Sequence, residues 1–91
     1  MTRADKPAIR ATILSMIAER AEGKTVCPSE VARHIAGQDE KAWRLLMHPI
    51  RAESVALAQA GAITIYRKGQ PVDPAAFKGI YRLGRPSGAG E

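Results

Sequence analysis

One apolar face that runs from residue 43 to residue 61 constrains the fold of this chain more than any other feature. In the stretch AWRLLMHPIRAESVALAQAG, the positions that share one side of a helix are Trp43, Leu46, Met47, Ile50, Ser54, Leu57 and Gly61. The spacing of three and four residues between these positions continues past Pro49, which predicts a long third helix with one side packed on the protein. Because proline removes a backbone donor and restricts His48, three forms are open: one bent helix, two nearly coaxial pieces, or a restart with His48 as cap and Pro49 first.

Two helices are predicted before this element. Apolar residues at three- and four-residue steps predict a first helix from Pro7 to Glu22, ended by Gly23. Residues 24–26 are too short to judge, although they could form a small edge strand.

The stretch CPSEVARHIAG predicts a second helix, with Cys27 at its start, Pro28 in its first turn and Gly37 at its end. Asp39 is a suitable N-cap for the third helix. Since only Gln38 and Asp39 separate the two helices, they form a helix-turn-helix arrangement.

After residue 61 the apolar period changes from helical to alternating. Ile63 and Ile65 alternate with Thr64 and Tyr66, which predicts a half-buried strand. The expected continuation is a turn cluster at 67–71, a one-turn helix at 73–79 capped by Asp73, and a returning strand from Ile80 to Leu83.

These elements predict a mainly α fold with a small antiparallel β-hairpin, a winged helix-turn-helix of three helices plus a wing. With 91 residues, the chain can bury only one modest core, so we expect a single domain at 6–84 and a disordered tail at 85–91. Trp43 is expected to anchor the core between the helices and the hairpin.

Three segments carry a resemblance to a known family: KTVCPSEVAR, AWRLLMHPIRAESVALAQAGAI and KGQPVDPAAFKGIYRL. Over roughly residues 9–83 the chain resembles a family of small bacterial proteins classed only as a domain of unknown function. The resemblance implies a winged-helix-like fold in a bacterial cytosol. It implies no reaction, ligand or partner.

Composition excludes several classes of protein. No apolar run approaches the roughly 18 residues that span a bilayer, and the N-terminus lacks a signal-peptide hydrophobic region. A single cysteine excludes an internal disulfide framework. We therefore expect a cytoplasmic protein with no membrane partner.

The positive charge is unevenly distributed along the chain. Residues 1–40 carry six basic and six acidic groups, whereas residues 41–85 carry eight basic groups and two acidic ones. Such a basic half is typical of proteins with a polyanionic partner, although it also serves solubility.

The predicted function is double-stranded DNA binding, in a regulatory or transcription-related role. Four basic residues step along the outer side of the third helix, where they could contact phosphates or guanine: Lys41, Arg44, His48 and Arg51. Three more lie in the wing, where they would contact the DNA backbone: Arg67, Lys68 and Lys78. The plainer interpretation of the stripe is a solvated helix face.

An alternative function is a protein-interaction or homodimerisation module without DNA binding. The third helix begins with Asp39 and Glu40, whose carboxylates would repel phosphates. Leu45 and Val55 lie on its outer half and could form a small apolar patch for a protein partner.

Catalysis and cofactor binding are not expected. Cys27 begins a helix, where the dipole favours a thiolate, but His34 lies about 10 Å further along the same helix. One cysteine and two histidines, His34 and His48, cannot complete a structural zinc site. We therefore predict a non-enzymatic protein with no metal and no cofactor.

Overall fold

The fold consists of four helices followed by a small sheet, in a computed structural model that describes residues 5–21 and 23–86. The helices are α1 (Lys6–Glu19), α2 (Pro28–Ala36), α3 (Glu40–Arg44) and α4 (Met47–Gln59). The strands are β1 (Thr64–Arg67), β2 (Gln70–Pro71) and β3 (Arg82–Gly84), in the antiparallel order β2-β1-β3. The protein is mainly helical with a small antiparallel sheet, which confirms the predicted fold class and is compatible with the winged-helix plan. Within the described ranges, no helix has the length and apolar character needed to cross a membrane.

Helix α1 ends earlier than the sequence predicts. Asp5 caps its start, since its side chain accepts a hydrogen bond from Ala8 N at 3.0 Å. The helix ends at Glu19, because Arg20 adopts extended angles and turns its guanidinium to Glu30, 2.7 Å away. The predicted end, at residue 22, lies outside the described residues.

Helix α2 confirms the prediction for its segment. The Cys27 amide donates to Glu30 Oε1 at 2.8 Å, which ties the helix start together. Gly37, with φ of +89°, ends the helix in a conformation that side chains rarely adopt. The Asp39 side chain then caps α3 by accepting from Lys41 N at 3.1 Å.

The predicted third helix is divided into α3 and α4, so the two-piece form is the one observed. The division falls at Leu45 and Leu46, and Leu46 rather than His48 precedes the second piece. Pro49 is the third residue of α4, where the first-turn amides have no partner within the helix, so proline is accommodated there. Its ring disfavours a regular turn around the Leu45 carbonyl. The chain tightens at this point, with Leu46 N donating to Trp43 O at 3.0 Å.

The sheet has one more strand than the predicted hairpin. Strands β1 and β2 are joined by a two-residue turn, Lys68-Gly69, in which both residues have positive φ. Strand β3 covers Arg82–Gly84 rather than residues 80–83, and pairs with the other edge of β1. Val26 forms an isolated bridge with Leu83, so the sheet extends in the order Val26-β3-β1-β2.

The segment between β2 and β3 contains a turn, and the predicted one-turn helix at 73–79 is absent. The Asp73 side chain accepts from Ala75 N at 2.9 Å, and its carbonyl accepts from Ala76 N at 3.0 Å. The turn stops there because Phe77, 6% exposed, enters the core. We call residues 72–81 the wing segment.

Isoleucine is the commonest residue type among the buried apolar side chains of the described core, and the tryptophan is not one of them. Its fully buried side chains include Ile9, Ile13, Ile50, Ile65 and Leu83. Trp43 is only partly buried, and the Arg33 guanidinium lies 5.4 Å from the centre of its ring. The expectation that Trp43 anchors the core was wrong, because α3 packs on α2 at the margin of the core and buries no residue fully.

The predicted disordered tail, 85–91, falls mostly on residues 87–91, which lie outside the described residues. Arg85, the first residue of the predicted tail, is among the described residues, and its guanidinium donates to the Arg20 carbonyl at 2.8 Å.

Candidate nucleic-acid interface

The basic stripe predicted on the third helix is exposed over its first three members. Lys41 and Arg44 lie on α3, and His48 lies in the first turn of α4. Arg44 forms an ion pair with Glu40, one turn earlier, which offsets part of its charge. Exposed pairs of this kind contribute little to stability, so a phosphate can compete for the guanidinium.

Arg51, the fourth member of the stripe, is half-buried under the wing segment. Its guanidinium donates to the Phe77 carbonyl at 2.9 Å and lies over the Phe77 ring, 4.0 Å from the centre. The Tyr81 ring is also close, at 5.7 Å from the guanidinium carbon. Arg51 therefore fastens the wing segment to α4.

Burial of Tyr81 changes the pKa of its phenol. Desolvation raises the pKa of Tyr81 to about 12, and the nearby positive charge of Arg51 acts in the opposite direction. The phenol is thus held neutral beside the guanidinium.

Arg67 holds the other end of the same segment. Its Nε donates to the Ile80 carbonyl at 2.9 Å, and its guanidinium packs against Gly79. A Cβ on Gly79 would lie 2.8 Å from Arg67 Nη2, and the φ of +88° at this position favours glycine independently. Arg51 and Arg67 together fix residues 77–80.

The two predicted wing lysines are exposed and lie at different places. Lys78 follows Phe77, whose carbonyl is bonded to Arg51, so its backbone lies beside α4 one turn beyond His48. Lys68 occupies the β1–β2 turn and lines a cavity on the sheet. The structure thus bonds Arg51 to the residue that precedes Lys78, while Lys68 belongs to a second cationic surface.

This second surface is a groove of about 520 Å³ on the sheet, here called the sheet groove. Its lining includes one aromatic residue, Tyr66, and four cationic ones: Lys24, Lys68, Arg82 and Arg85. Sequence reasoning proposed only Lys68 as a binding residue. The alternating pattern of β1 correctly placed Tyr66 on the face opposite the buried one. The groove also needs residues 23–25 to lie beside residues 82–86, and this contact depends on the Val26–Leu83 bridge, which joins distant parts of the sequence.

The side chains considered for catalysis and metal binding lie apart. Cys27 is half-buried at the start of α2, with its Sγ 3.0 Å from Ser29 Oγ. The Cys27 backbone amide, together with Arg20, lowers the pKa of Glu30. His34 and His48 are exposed on different helices, and within residues 5–21 and 23–86 no group of three or more His, Cys, Asp or Glu side chains could hold a metal ion.

Among the described residues three large apolar side chains are exposed, and Leu14 on α1, at 40%, is the least exposed of them. Leu45, between α3 and α4, is 78% exposed, and Ile80, in the wing segment, is 85% exposed. Val55, the other residue of the predicted apolar patch, packs against the core and is partly buried.

Comparison with known proteins identifies a family without an assigned activity. The family model described as "Protein of unknown function (DUF3253)" matches residues 6–86, which include every described helix and strand. No curated protein matches the chain.

Proposed function

Because the chain belongs to this family of unknown function, DUF3253, we propose its function from the geometry alone: it binds double-stranded DNA, in a transcription-related role in the cytoplasm. In this proposal α3 and the first turn of α4 lie in or beside the major groove, and the wing segment contacts the adjacent backbone. The observation that supports the proposal is the attachment of the wing segment to α4 through Arg51, one turn after His48, with an exposed lysine, Lys78, next in sequence to the attached Phe77.

The helical part of the interface consists of Lys41, Arg44 and His48. All three are exposed, and they are spaced at three and four residues on consecutive helical segments. Lysine and arginine at this spacing can contact successive phosphates along a groove edge, while arginine can also pair with guanine.

The wing part of the interface is Lys78, held in place by Arg51. The Arg51 hydrogen bond and ring contact fix Phe77, so the next residue emerges beside the helix rather than at a mobile loop tip. We assign Arg51 and Arg67 to positioning of the wing segment. Lys68 reaches the DNA only as a peripheral backbone contact from the β1–β2 turn.

The carboxylates at the start of α3 are compatible with this interface. Asp39 is engaged in capping, and Glu40 forms an ion pair with Arg44. Both acids are therefore partly neutralised within the protein, which lowers their repulsion of phosphates.

Salt-dependent binding to a labelled duplex of generic sequence tests the proposal. We expect affinity that falls steeply with salt, and a double variant, Lys41→Ala/Lys78→Ala, that binds more weakly with a salt slope lower by about two. The control is Lys6→Ala/Lys24→Ala, which removes the same charge from exposed lysines outside the interface. Undetectable duplex binding at low salt, or equal weakening in both double variants, would contradict the proposal.

A second candidate is a protein-interaction or homodimerisation module, supported by the exposure of Leu45 on the same side as the basic stripe. Sedimentation of the wild type and of Leu45→Lys separates the two functions. A dimer that dissociates on this substitution, in a protein that does not bind DNA, favours this second candidate.

We further propose that the role is one of binding without catalysis. Cys27, the residue closest to a nucleophile at a helix start, contacts Ser29 and lies in a capping arrangement with Glu30. Loss of a measurable activity in Cys27→Ser would contradict this assignment.

A further inference from the structure

The sheet groove lies on the face of the sheet opposite the core. In the β1–β3 pairing Tyr66 lies opposite Arg82 and Thr64 opposite Gly84, while Ile65 and Leu83 point inward and are at most 1% exposed. Because side chains alternate along a strand, Tyr66 and Arg82 share the outer face. The groove is therefore separate from α3 and α4, whose residues do not occur in its lining.

Gly84 allows the Tyr66 ring to form the floor of this groove. A Cβ on Gly84 would lie 2.8 Å from Tyr66 Cε2, closer than real Cβ atoms approach, so the ring lies across the strand where a side chain would stand. Tyr66 remains partly exposed. The result is an aromatic surface of the kind on which a planar ring can stack.

Four cations surround this aromatic floor, and the described residues that line the groove include no acidic one. They are Lys24 from the α1–α2 loop, Lys68 from the β1–β2 turn, Arg82 from β3, and Arg85 after it. All four are exposed. Four like charges around one groove repel each other, so an anionic ligand of multiple charge would relieve that repulsion.

The two arginines are held in position by backbone and hydroxyl oxygens rather than by carboxylates. Arg82 donates through Nε to Thr25 Oγ1 at 2.6 Å and through Nη2 to the Thr25 carbonyl at 3.2 Å. Arg85 donates through Nη2 to the Arg20 carbonyl at 2.8 Å and to the Ala18 carbonyl at 3.4 Å. Each guanidinium has five N–H donors, so both retain donors for a ligand while their orientation is already fixed.

Glu30, an acid that Arg82 influences, forms an ion pair with another residue. Glu30 is close enough for Arg82 to contribute to its lowered pKa, but its Oε2 lies 2.7 Å from Arg20 Nη2 and its Oε1 accepts from the Cys27 amide. Its charge is thus paired outside the groove, and the charge of Arg82 is left for a ligand.

From this arrangement we propose that the sheet groove binds a nucleoside polyphosphate, with its base stacked on Tyr66 and its phosphates held by the four cations. The volume of about 520 Å³ is in the range of small-molecule sites. A single aromatic floor provides for one base, whereas a single strand of nucleic acid would use a series of stacking residues. Apart from Lys68, which contacts the duplex only at the periphery, this site shares no residue with the proposed duplex interface.

Isothermal titration of the full chain with ATP, tripolyphosphate and adenosine tests the proposal. We expect ATP to bind about tenfold more tightly than tripolyphosphate, because the base adds a stacking contact, and adenosine to bind far more weakly than either. Tyr66→Leu should abolish the advantage of ATP over tripolyphosphate, whereas Tyr66→Phe should keep it.

The charge contribution is tested with a matched pair of double variants. Lys24→Ala/Arg85→Ala should weaken ATP binding at least tenfold, and Lys6→Ala/Lys41→Ala, with the same loss of charge outside the groove, should change it less than about twofold. Amide chemical shifts of the wild-type protein, recorded with ATP, should move at Thr25, Tyr66 and Arg82, which provides a measurement that does not depend on the variants folding.

Equal affinity for ATP and tripolyphosphate would overturn the proposal, as would equal weakening in the two double variants. Tighter binding of a ten-residue oligodeoxythymidine than of ATP would also overturn it, in favour of a single-strand surface. Because the Lys6→Ala/Lys41→Ala variant weakens the duplex interface but spares the groove, failure of DNA binding and failure of nucleotide binding are distinguishable.

Discussion

Replacement of Arg51 by alanine separates a structural role for this residue from a role in DNA contact. The guanidinium makes a charge-assisted hydrogen bond to the Phe77 carbonyl at 2.9 Å, which is worth roughly 1.5–3 kcal/mol when lost. It also stacks 4.0 Å from the Phe77 ring centre, which adds about 0.5–1 kcal/mol at a partly exposed site. Because Arg51 is only half-buried, water recovers part of the first value, and we expect a loss of about 2 kcal/mol.

Urea unfolding, followed by circular dichroism, measures this loss as a lower midpoint at an unchanged slope. Arg51→Lys should recover less than half of it, since an ammonium cannot stack on the ring and reach the carbonyl as a planar guanidinium does. Amides of residues 77–81 should exchange faster in Arg51→Ala, because the wing segment loses its attachment to α4. The outcome that refutes this reasoning is a change of stability below about 0.5 kcal/mol together with a large loss of duplex affinity, which would make Arg51 a direct DNA contact.

Three further predictions concern charges and protons in the folded state. Because the pKa of Tyr81 is raised to about 12 from 10.0, the neutral phenol contributes its full stabilisation below pH 10, and this contribution is lost as pH rises toward 12. In Tyr81→Phe, the free energy of unfolding should no longer show this part of the pH dependence. The pKa of Glu30 is lowered, chiefly by the hydrogen bond from the Cys27 amide, so its ionised carboxylate stabilises the fold above pH 4.5, and this contribution is lost as pH falls below that value. In urea titrations at pH 3 to 6, the free energy of unfolding of Glu30→Gln should therefore change less with pH than that of the wild type. Arg10→Ala leaves Glu53, whose side chain is 7% exposed, without its partner at 2.6 Å; thermal and urea unfolding should show a loss of about 1.5–3 kcal/mol, and Arg10→Lys a smaller one.

The spacing of apolar residues along the sequence correctly predicted which side chains are buried in helices and strands that pack on the core through one face. The step of three and four residues identified Ile9, Ile13 and Ile17 in α1, which are all at most 5% exposed. The alternation of two likewise placed Ile63 and Ile65 inside. These predictions succeeded because the period of the backbone alone decides which side chains share a face. No knowledge of the neighbouring elements is needed.

Element ends were less predictable, because contacts with distant residues decide them. Helix α1 stops at Glu19, three residues before the predicted end, where Arg20 turns toward Glu30 in α2. The wing segment lacks its predicted helical turn, since Phe77 is drawn into the core and packs edge-on against Tyr81 at 5.1 Å. In both cases the local signals favoured a helix and tertiary contacts prevailed over them.

The same distinction explains why the cationic surfaces could be predicted only in part. The spacing of Lys41, Arg44 and His48 is a local signal, since residues three and four apart share a face in a continuous helix, although the break between α3 and α4 divides these three residues between two helices. Contacts with distant residues determine which arginine is available to a ligand. Arg51 donates to a carbonyl 26 residues away, and Arg82 donates to Thr25, 57 residues earlier. A count of charges along the chain cannot distinguish a guanidinium bonded to a carbonyl from one paired with a carboxylate. That distinction decides the local charge, because a carbonyl orients a cation without cancelling its charge, and both arginines of the sheet groove are bonded to carbonyls.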